Sequence, residues 1–511
     1  MGGFLRPELV WREAHGVGLA CAAGLLALTL PLVSLAAYEG TGTTQLVVTV
    51  VGVLFLLYLL VMLILYARRL WAGTGGYSVV CAVVFVITVL LRIYYVIMTK
   101  YTFLQHDSWG LDAMAGHVVY IFRLADNGLR LLDVDPTSLW SFYNPPLSYY
   151  LGAAWVCAGR ALGLADAQAA ESLQWLSLAY SVGATYVGYL VLRQARLEGR
   201  ALALGFCAWA LVPFFVPLSG NVSYDGLLTL LSLVTLLLLM RWYEDPTLAR
   251  ALRAGVCLGL ALMTKTTAAL LLLPALVTFI LRLVRREGRP SAARLALQVA
   301  AVLVPAAVLG GWWHVYAYLR FGMPFGYFQK VDPTDPMNCS AYSLAQRLLP
   351  SWEGDFAPFY YVDVAGDYSI PVILLKTATF DLVGKVVPKG PLFAIGTVLD
   401  ALGAALVLGA VCGLVFCLSD LRSHSHEQVL PIALMASVLV AYAIGILQLS
   451  FSQPFSCSSN FRYIVPVALA GAFFLSRLGH RRLAGRACWV CLADYAVAQV
   501  AFWAGMGLTF G

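Results

Sequence analysis

The chain has 511 residues, of which 61% are hydrophobic and only 12% are charged. Soluble globular proteins carry about 25% charged residues, so this chain has too few polar groups to cover a water-facing surface. The composition therefore excludes a cytosolic enzyme, a secreted domain and a disordered chain. The net charge is +7, but the basic residues are scattered between apolar runs, which excludes a nucleic-acid-binding patch.

Long apolar runs predict a polytopic membrane protein, because several reach the ~20 residues that a helix needs to cross the hydrocarbon core. The first run, within Met1–Gly24 and beyond, favours a retained membrane anchor over a cleaved signal peptide. In chain order the runs cover residues 16–37, 45–66, 77–98, 172–192, 201–218, 226–240, 254–283, 295–318, 391–419, 428–449, 463–476 and 487–508.

The basic residues predict how these runs cross, since Lys and Arg next to spans collect on the cytoplasmic side. The short Arg-rich connections are placed inside, and the long polar loops 99–170 and 319–390, which lack a basic excess, are placed outside. The stretch 147–164 then cannot cross and is interpreted as a helix on the outer surface. The run 254–283 is interpreted as a short hairpin with Lys265 at its apex. This gives about 13 passes.

Polar residues close to the predicted outer face are the candidates for function, because charges near the membrane are costly and usually functional. His106 and Asp107 follow the span that ends near Met98, although Asp107 could also be a solvated loop acid. His117 begins a short amphipathic helix that a glycine closes. Tyr143 and Asn144 precede a pair of prolines that sets the start of the surface helix.

Three more charges stand at the outer ends of later spans. Asp225 opens one span, where capping of the helix N-terminus is the alternative explanation. Lys265, at the hairpin apex, could be a snorkelling lysine. Arg462 is mildly unusual for an outer edge. Two acids and two cations from four separate loops at one face predict a shared site.

These residues carry a resemblance to the polyprenyl-phosphate-sugar-dependent membrane glycosyltransferases of the GT-C fold, of the protein-O-mannosyltransferase and aminoarabinose-transferase type (glycosyltransferase family 39-like). The resemblance covers residues 77–320 well and 391–480 loosely. The segments that carry it are His106-Asp107, Gly116-His117 with Tyr120-Ile121, Tyr143-Asn144-Pro145-Pro146-Leu147 with Tyr150, Tyr224-Asp225-Gly226, Gly259 to Lys265, and Arg462-Tyr463 with Pro466.

The resemblance implies an all-α GT-C-like fold with extracytoplasmic juxtamembrane helices. It divides the chain into two additional N-terminal transmembrane helices (1–70), a catalytic module of seven passes (77–320) with outer helices in 99–170, a large extracytoplasmic loop (319–390) and C-terminal transmembrane helices (391–511). The implied location is the cell membrane, with the active site on the extracytoplasmic face.

The implied reaction transfers a sugar from a polyprenyl phosphate to a lipid, glycan or protein acceptor by inverting displacement. Such a reaction needs a carboxylate for the acceptor's proton and cations for the departing phosphate. Asp107 is the implied base and Asp225 the second catalytic acid. Lys265 and Arg462 are candidates for the phosphate, by charge and topology. His106, His117, Tyr143 and Asn144 complete the substrate-binding set.

Two alternatives stay open at this stage, a transporter and a GT-C-like polysaccharide ligase. A transporter would place its charges near mid-membrane and often shows paired halves, which this chain lacks. A divalent metal is possible, but relatives often carry a metal ligand or a cation where Tyr143-Asn144 stands, so this departure leaves no cofactor certain.

The loop 319–390 is too long for a simple connection, and the resemblance implies that it covers the active cavity. Cys339 in this loop and Cys457 near Arg462 lie outside the predicted spans on the outer side. An oxidising exterior would let them pair, although two free thiols are the alternative.

Overall fold

A computed structural model describes residues 76–285, 291–329, 332–351, 357–360, 367–386, 388–419 and 426–510. The described part of the chain consists of helices and connecting loops, and its one β contact is an isolated bridge between Asn338 and Phe455. The two predicted helices within residues 1–70 lie outside the described residues. The protein is an all-α polytopic membrane protein.

Eight helices in the described residues are long and apolar enough to cross a membrane. They coincide with predicted runs because a continuous apolar sequence favours a helix that satisfies its own backbone in lipid. They are α1 (Tyr77–Met98), α4 (Asp166–Gln194), α7 (Asp225–Glu244), α9 (Leu272–Val284, with a preceding 3₁₀ turn Thr266–Leu271), α10 (Ala292–Phe321), α13 (Pro391–Ser419), α14 (His426–Ser452) and α16 (Arg482–Phe510).

Other predicted passes coincide with shorter elements. The run 201–218 forms two helices, α5 (Gly199–Ala210) and α6 (Phe215–Gly220). The first half of the predicted hairpin is α8 (Leu248–Leu262), and the run 463–476 is α15 (Pro466–Arg477). These helices are shorter than the ~20 residues of a full span, so the number of 13 passes stays a prediction.

Two helices follow α1 before the chain returns at α4, namely α2 (His117–Asp126) and α3 (Leu147–Ala161). With 15 residues α3 is too short to span the hydrocarbon core, consistent with a surface helix. Both pack with the start of α4 around a separate core that includes stacked Tyr120 and Phe142 rings, 4.2 Å apart. This core holds the loops before α2 and α3 in place.

A fully buried arginine on α1 contacts the carboxyl end of α5, just before Pro213 separates α5 from α6. Arg92 donates hydrogen bonds to the Ser181 carbonyl (3.1 Å), the Thr185 hydroxyl (2.7 Å) and the Ala210 carbonyl (3.5 Å) at the end of α5. Carbonyls at a helix end need an outside donor in an apolar interior. The break positions α6, and therefore the loop that leads into α7.

The long loop 319–390 contains a buried helix that the charge pattern did not predict. After the short α11 (Leu344–Leu348), the apolar segment α12 (Ile370–Phe380) packs against α13 and against the loop before α15. The sequence Ile-Pro-Val-Ile-Leu-Leu is too apolar for a solvated loop. Part of the predicted outer loop therefore belongs to the protein interior.

The loop is fastened to the segment before Arg462 by backbone hydrogen bonds. The Cys339 amide donates to the Pro454 carbonyl (2.6 Å), and the Ser456 amide donates to the Met337 carbonyl (2.8 Å). Cys339 and Cys457 are both free thiols, so the disulfide considered from the sequence is not formed. The β-bridge supplies the connection instead.

Candidate active site

The loop after α1 holds Asp107 in a backbone conformation that side chains rarely adopt. Asp107 has a φ of +53°, and its carbonyl accepts a hydrogen bond from the His117 amide (2.8 Å) at the start of α2. Gly116 allows this approach, because a Cβ there would lie 2.7 Å from the Asp107 carbonyl oxygen. Left-handed backbone at a non-glycine residue costs of order 1 kcal/mol and concentrates at functional sites.

Asp225 and Lys265 form a buried ion pair. Lys265 lies in the break between α8 and the following 3₁₀ turn, and its Nζ is 2.9 Å from Asp225 Oδ1. The Asp225 side chain is 0% exposed and that of Lys265 only 7%. The Lys265 ammonium also lies over the rings of Tyr224 and Tyr463, at 4.1 and 4.5 Å from their centroids.

Arg462 brings the two acids into one cluster. One guanidinium nitrogen, Nη1, lies 3.8 Å from Asp225 Oδ2 and 3.9 Å from Asp107 Oδ2. These distances are too long for hydrogen bonds, and the Nε and Nη1 atoms of Arg462 have no hydrogen-bond partner among the described residues. We name Asp107, Asp225, Lys265 and Arg462 the four-charge cluster.

Exposure distinguishes the two acids of the cluster. The Asp107 side chain is 26% exposed, whereas that of Asp225 is fully buried. Asp225 Oδ2 also accepts a hydrogen bond from the Ser223 hydroxyl, which caps the Asp225 amide in turn (3.3 and 3.2 Å). The first amide of α7 is thus paired with the Ser223 hydroxyl. Asp107 is the more exposed acid of the cluster, and Asp225 lies within 4 Å of both cations.

The charges of the cluster shift the pKa values of its members outside the spans. Burial alone would raise the pKa of Asp107, but the positive charge of Arg462, with smaller contributions from other neighbours, outweighs burial and holds this pKa below its ordinary value. Burial lowers the pKa of Arg462, but Tyr463 and the two acids overcome this and raise it well above its ordinary value. At neutral pH Asp107 is a carboxylate and Arg462 a cation.

His117 lies beneath the cluster as a neutral imidazole. Burial lowers its pKa to about 4, against the smaller opposing effects of Asp107 and Asp225. Its Nδ1 contacts the Tyr149 hydroxyl (2.8 Å), which also donates to the Ser141 carbonyl (3.3 Å). The Nε2 atom has no hydrogen-bond partner among the described residues, and His117 lines a small cavity.

The other predicted binding residues lie around the cluster. His106 Nε2 lies 2.8 Å from Asp381 Oδ1, so the imidazole is directed to a buried carboxylate. The Tyr143 phenol packs against Tyr327, with ring centroids 5.7 Å apart. The negative charge of Asp107 adds to burial in raising the pKa of Tyr143. Asn144 donates to the Ser141 carbonyl (3.0 Å) and shapes the turn. Substrate binding by these three residues stays a prediction.

Three residues at the site were not predicted from the sequence. Asp381 follows α12, inside the loop assigned to a lid, and nothing local distinguishes it. Tyr463 adjoins Arg462 in the motif that carries the resemblance, and Asn460 lies two positions before Arg462; this proximity was the available signal. Tyr463 accepts a hydrogen bond from Arg462 Nη2 (2.9 Å) and contacts Lys265.

The donor set does not fit a divalent metal. Across the residues that the structure describes, no group of three or more His, Cys, Asp or Glu side chains could hold an ion. Both acids of the cluster face cations, which would repel a second positive charge. We therefore derive no step through a metal.

One family model matches part of the chain. Residues 151–312, which include Asp225 and Lys265, match the model of the dolichyl-phosphate-mannose-protein mannosyltransferase family. The resemblance read from the sequence is confirmed. Asp107 and Arg462 lie outside the matched residues. A search of curated proteins found no significant match.

Two solved structures align with most of this chain at low identity. The Archaeoglobus fulgidus oligosaccharyltransferase in the apo form is 15% identical, with a TM-score of 0.45 over 84% of this chain and 56% of that one. ArnT from Cupriavidus metallidurans bound to undecaprenyl phosphate is 16% identical, with a TM-score of 0.45 over 82% of this chain and 75% of that one. The chain therefore spans little more than half of the archaeal enzyme.

Proposed function

We propose that this protein is an integral membrane glycosyltransferase that moves a sugar from a polyprenyl phosphate to an acceptor on the extracytoplasmic face. The observation that carries the proposal is the four-charge cluster, in which one reachable carboxylate lies beside two cations from different elements. The family match over residues 151–312 supports the same reaction class. The positive-inside pattern supports the side.

Asp107 acts as the general base in this proposal. The acceptor's oxygen or nitrogen attacks the anomeric carbon, the bond from that carbon to the phosphate oxygen breaks with its electron pair, and Asp107 takes the acceptor's proton. A carboxylate with a lowered pKa is ionised at neutral pH and free to do so. One displacement inverts the anomeric centre.

Arg462 and Lys265 bind the leaving phosphate. The Nε and Nη1 atoms of Arg462 have no hydrogen-bond partner in the part of the chain that the structure describes, and they can donate to a phosphate oxygen. Lys265 adds a second positive charge, held by Asp225 at 2.9 Å. In a site beside lipid these charges act in a low dielectric, where they stabilise developing negative charge more than water does.

The positions of the charges disfavour the transporter alternative. Asp225 is the first residue of α7, Lys265 precedes the 3₁₀ turn before α9, and Arg462 lies four residues before α15. Charges at helix ends suit a reaction at the membrane surface, whereas a transporter binds its substrate near the midplane.

Release of polyprenyl phosphate tests the proposed function directly. Membranes that contain the protein are supplied with polyprenyl phosphate carrying a radiolabelled sugar and with candidate acceptors. We expect acceptor-dependent release of polyprenyl phosphate, and none from membranes that contain the Asp107→Asn variant. Uptake of labelled sugar into vesicles without cleavage of the donor would support transport instead.

Loss of either cation should weaken donor binding. We expect Lys265→Gln and Arg462→Gln each to raise the Kd for polyprenyl phosphate by about tenfold or more, since a charge-assisted bond to phosphate contributes about 1.5–3 kcal/mol. Isothermal titration in nanodiscs measures the Kd. Arg320→Gln, which removes an exposed cation paired with Asp133 at 3.0 Å, is the matched control. Equal affinity in all three variants would leave Lys265 and Arg462 with structural roles only.

Arg462 should also set the acid limit of the pH profile. With Arg462 present, kcat/KM should fall only below the ordinary Asp pKa of about 3.9, because the base must be ionised. In Arg462→Gln the opposing charge is lost while burial remains, so the acid limb should move to higher pH. The kcat/KM profile of the residual activity measures this shift. An acid limb at the same pH in both proteins would assign the proton to another group.

A further inference from the structure

We infer that Asp381, from the large loop, is a positioning residue that joins the loop of the general base to the loop of the phosphate-binding arginine. The inference rests on the proposed function for its kinetic consequences and on the geometry alone for its structural ones. The contacts form a closed ring, which runs from Asp107 through the adjacent His106 to Asp381, Asn460 and Arg462.

The first half of the ring fixes the base. His106 Nε2 contacts both oxygens of Asp381, at 2.8 and 2.9 Å, with side-chain exposures of 9% and 1%. His106 is the residue next to Asp107, and both Leu104 and Asp107 have positive φ, at +50° and +53°. A loop with two such residues persists only when its surroundings hold it, and the buried imidazole–carboxylate contact supplies one anchor.

The second half fixes the arginine. Asn460 Nδ2 donates to Asp381 Oδ1 (3.1 Å), and the Asn460 side-chain oxygen accepts from the Arg462 amide (2.8 Å). The last turn of α12 adds a parallel contact, since the Phe461 amide donates to the Thr377 hydroxyl (2.9 Å). The ring closes where Arg462 Nη1 approaches Asp107 Oδ2 at 3.9 Å.

A separate pair of contacts anchors the same base loop to the loop before Asp225. Gln105 Nε2 donates to the Gly220 carbonyl (2.8 Å), and Gln105 Oε1 accepts from the Val222 amide (2.8 Å). The base loop is thus held on one side toward Asp225 and on the other toward Arg462. Asp381 makes the connection toward Arg462, and it belongs to the large loop 319–390. This predicts that the large loop orders the catalytic groups.

Hydrogen exchange of the full-length protein in nanodiscs tests the ring without reference to activity. The His117 amide, held by the Asp107 carbonyl, reports on the base loop, and the Arg462 amide, held by Asn460, reports on the arginine loop. In Asp381→Asn we expect both amides to exchange about tenfold faster or more. Asp367→Asn is the control, because Asp367 forms another buried pair in the same segment, with Lys376 at 2.6 Å. It should leave both amides unchanged.

Kinetics then separate the two halves of the ring. His106→Gln should lower kcat with little change in the Kd for polyprenyl phosphate, whereas Asn460→Ala should mainly raise that Kd. His106→Gln also replaces Asp381→Asn as the exchange test if the latter does not fold. Wild-type exchange at both amides in these variants would overturn the ring. Faster exchange together with no donor cleavage by the wild-type protein would uphold the ring and reject the proposed function instead.

Discussion

Replacement of Asp107 by Asn should abolish sugar transfer while leaving the fold intact. A general base contributes about 10²–10⁴-fold to the rate, and an amide cannot accept the proton, so turnover should fall at least a hundredfold. The Asp107 side chain is 26% exposed and lies 3.9 Å from Arg462. In the variant Arg462 still has a second acidic neighbour, Asp225, at 3.8 Å. The thermal midpoint in detergent should therefore change little. Turnover is measured as release of polyprenyl phosphate at saturating donor.

An acid of the same loop provides the control. Asp112 is exposed and lies five residues further along the chain. Asp112→Asn makes the same chemical change without touching the cluster and should keep full turnover. If Asp107→Asn retained more than a tenth of wild-type turnover, Asp107 would not be the base, and His117 Nε2 would become the next acceptor to test.

The membrane-embedded part of the fold could be predicted from the sequence because apolar length and basic flanks are local signals. The surface helix α3 followed from the parity of the crossings, and the break near Lys265 followed from basic residues at both ends of one run. The convergence of Asp107, Asp225, Lys265 and Arg462 was also predicted, since all four stand next to the ends of spans on one predicted face.

The parts that the sequence did not predict depend on contacts between distant segments. His106 and Asp381 are separated by 275 positions, and no spacing rule connects them. His106 precedes Asp107, whose left-handed backbone no sequence pattern indicated. Asp381 follows the buried helix α12, which lies inside a loop that the charge pattern assigned to solvent. His106 was therefore predicted to bind the substrate, whereas its partner in the structure is the carboxylate of Asp381.

The buried pair of Asp225 and Lys265 should contribute to stability and to catalysis in ways that a double-mutant cycle can separate. Asp225→Asn alone leaves Lys265 as a buried cation without its carboxylate. Lys265→Met alone leaves Asp225 with Arg462 at 3.8 Å as its remaining cation. Breaking one side of a buried pair costs about 3–5 kcal/mol of the free energy of unfolding. We expect the Asp225→Asn change to have the larger effect, because the lysine then has no anion within 4 Å among the described residues.

The double variant Asp225→Asn/Lys265→Met should recover most of the stability, since replacement of both charges removes the uncompensated one. It should not recover transfer, because the phosphate still lacks one of its two cations. Unfolding by denaturant in micelles measures the first quantity and release of polyprenyl phosphate the second. The same cycle at Asp367 and Lys376, a buried pair at 2.6 Å, should show the coupling in stability with transfer preserved. Full activity in the Asp225/Lys265 double variant would mean that the pair only supports the fold and that Arg462 alone binds the phosphate.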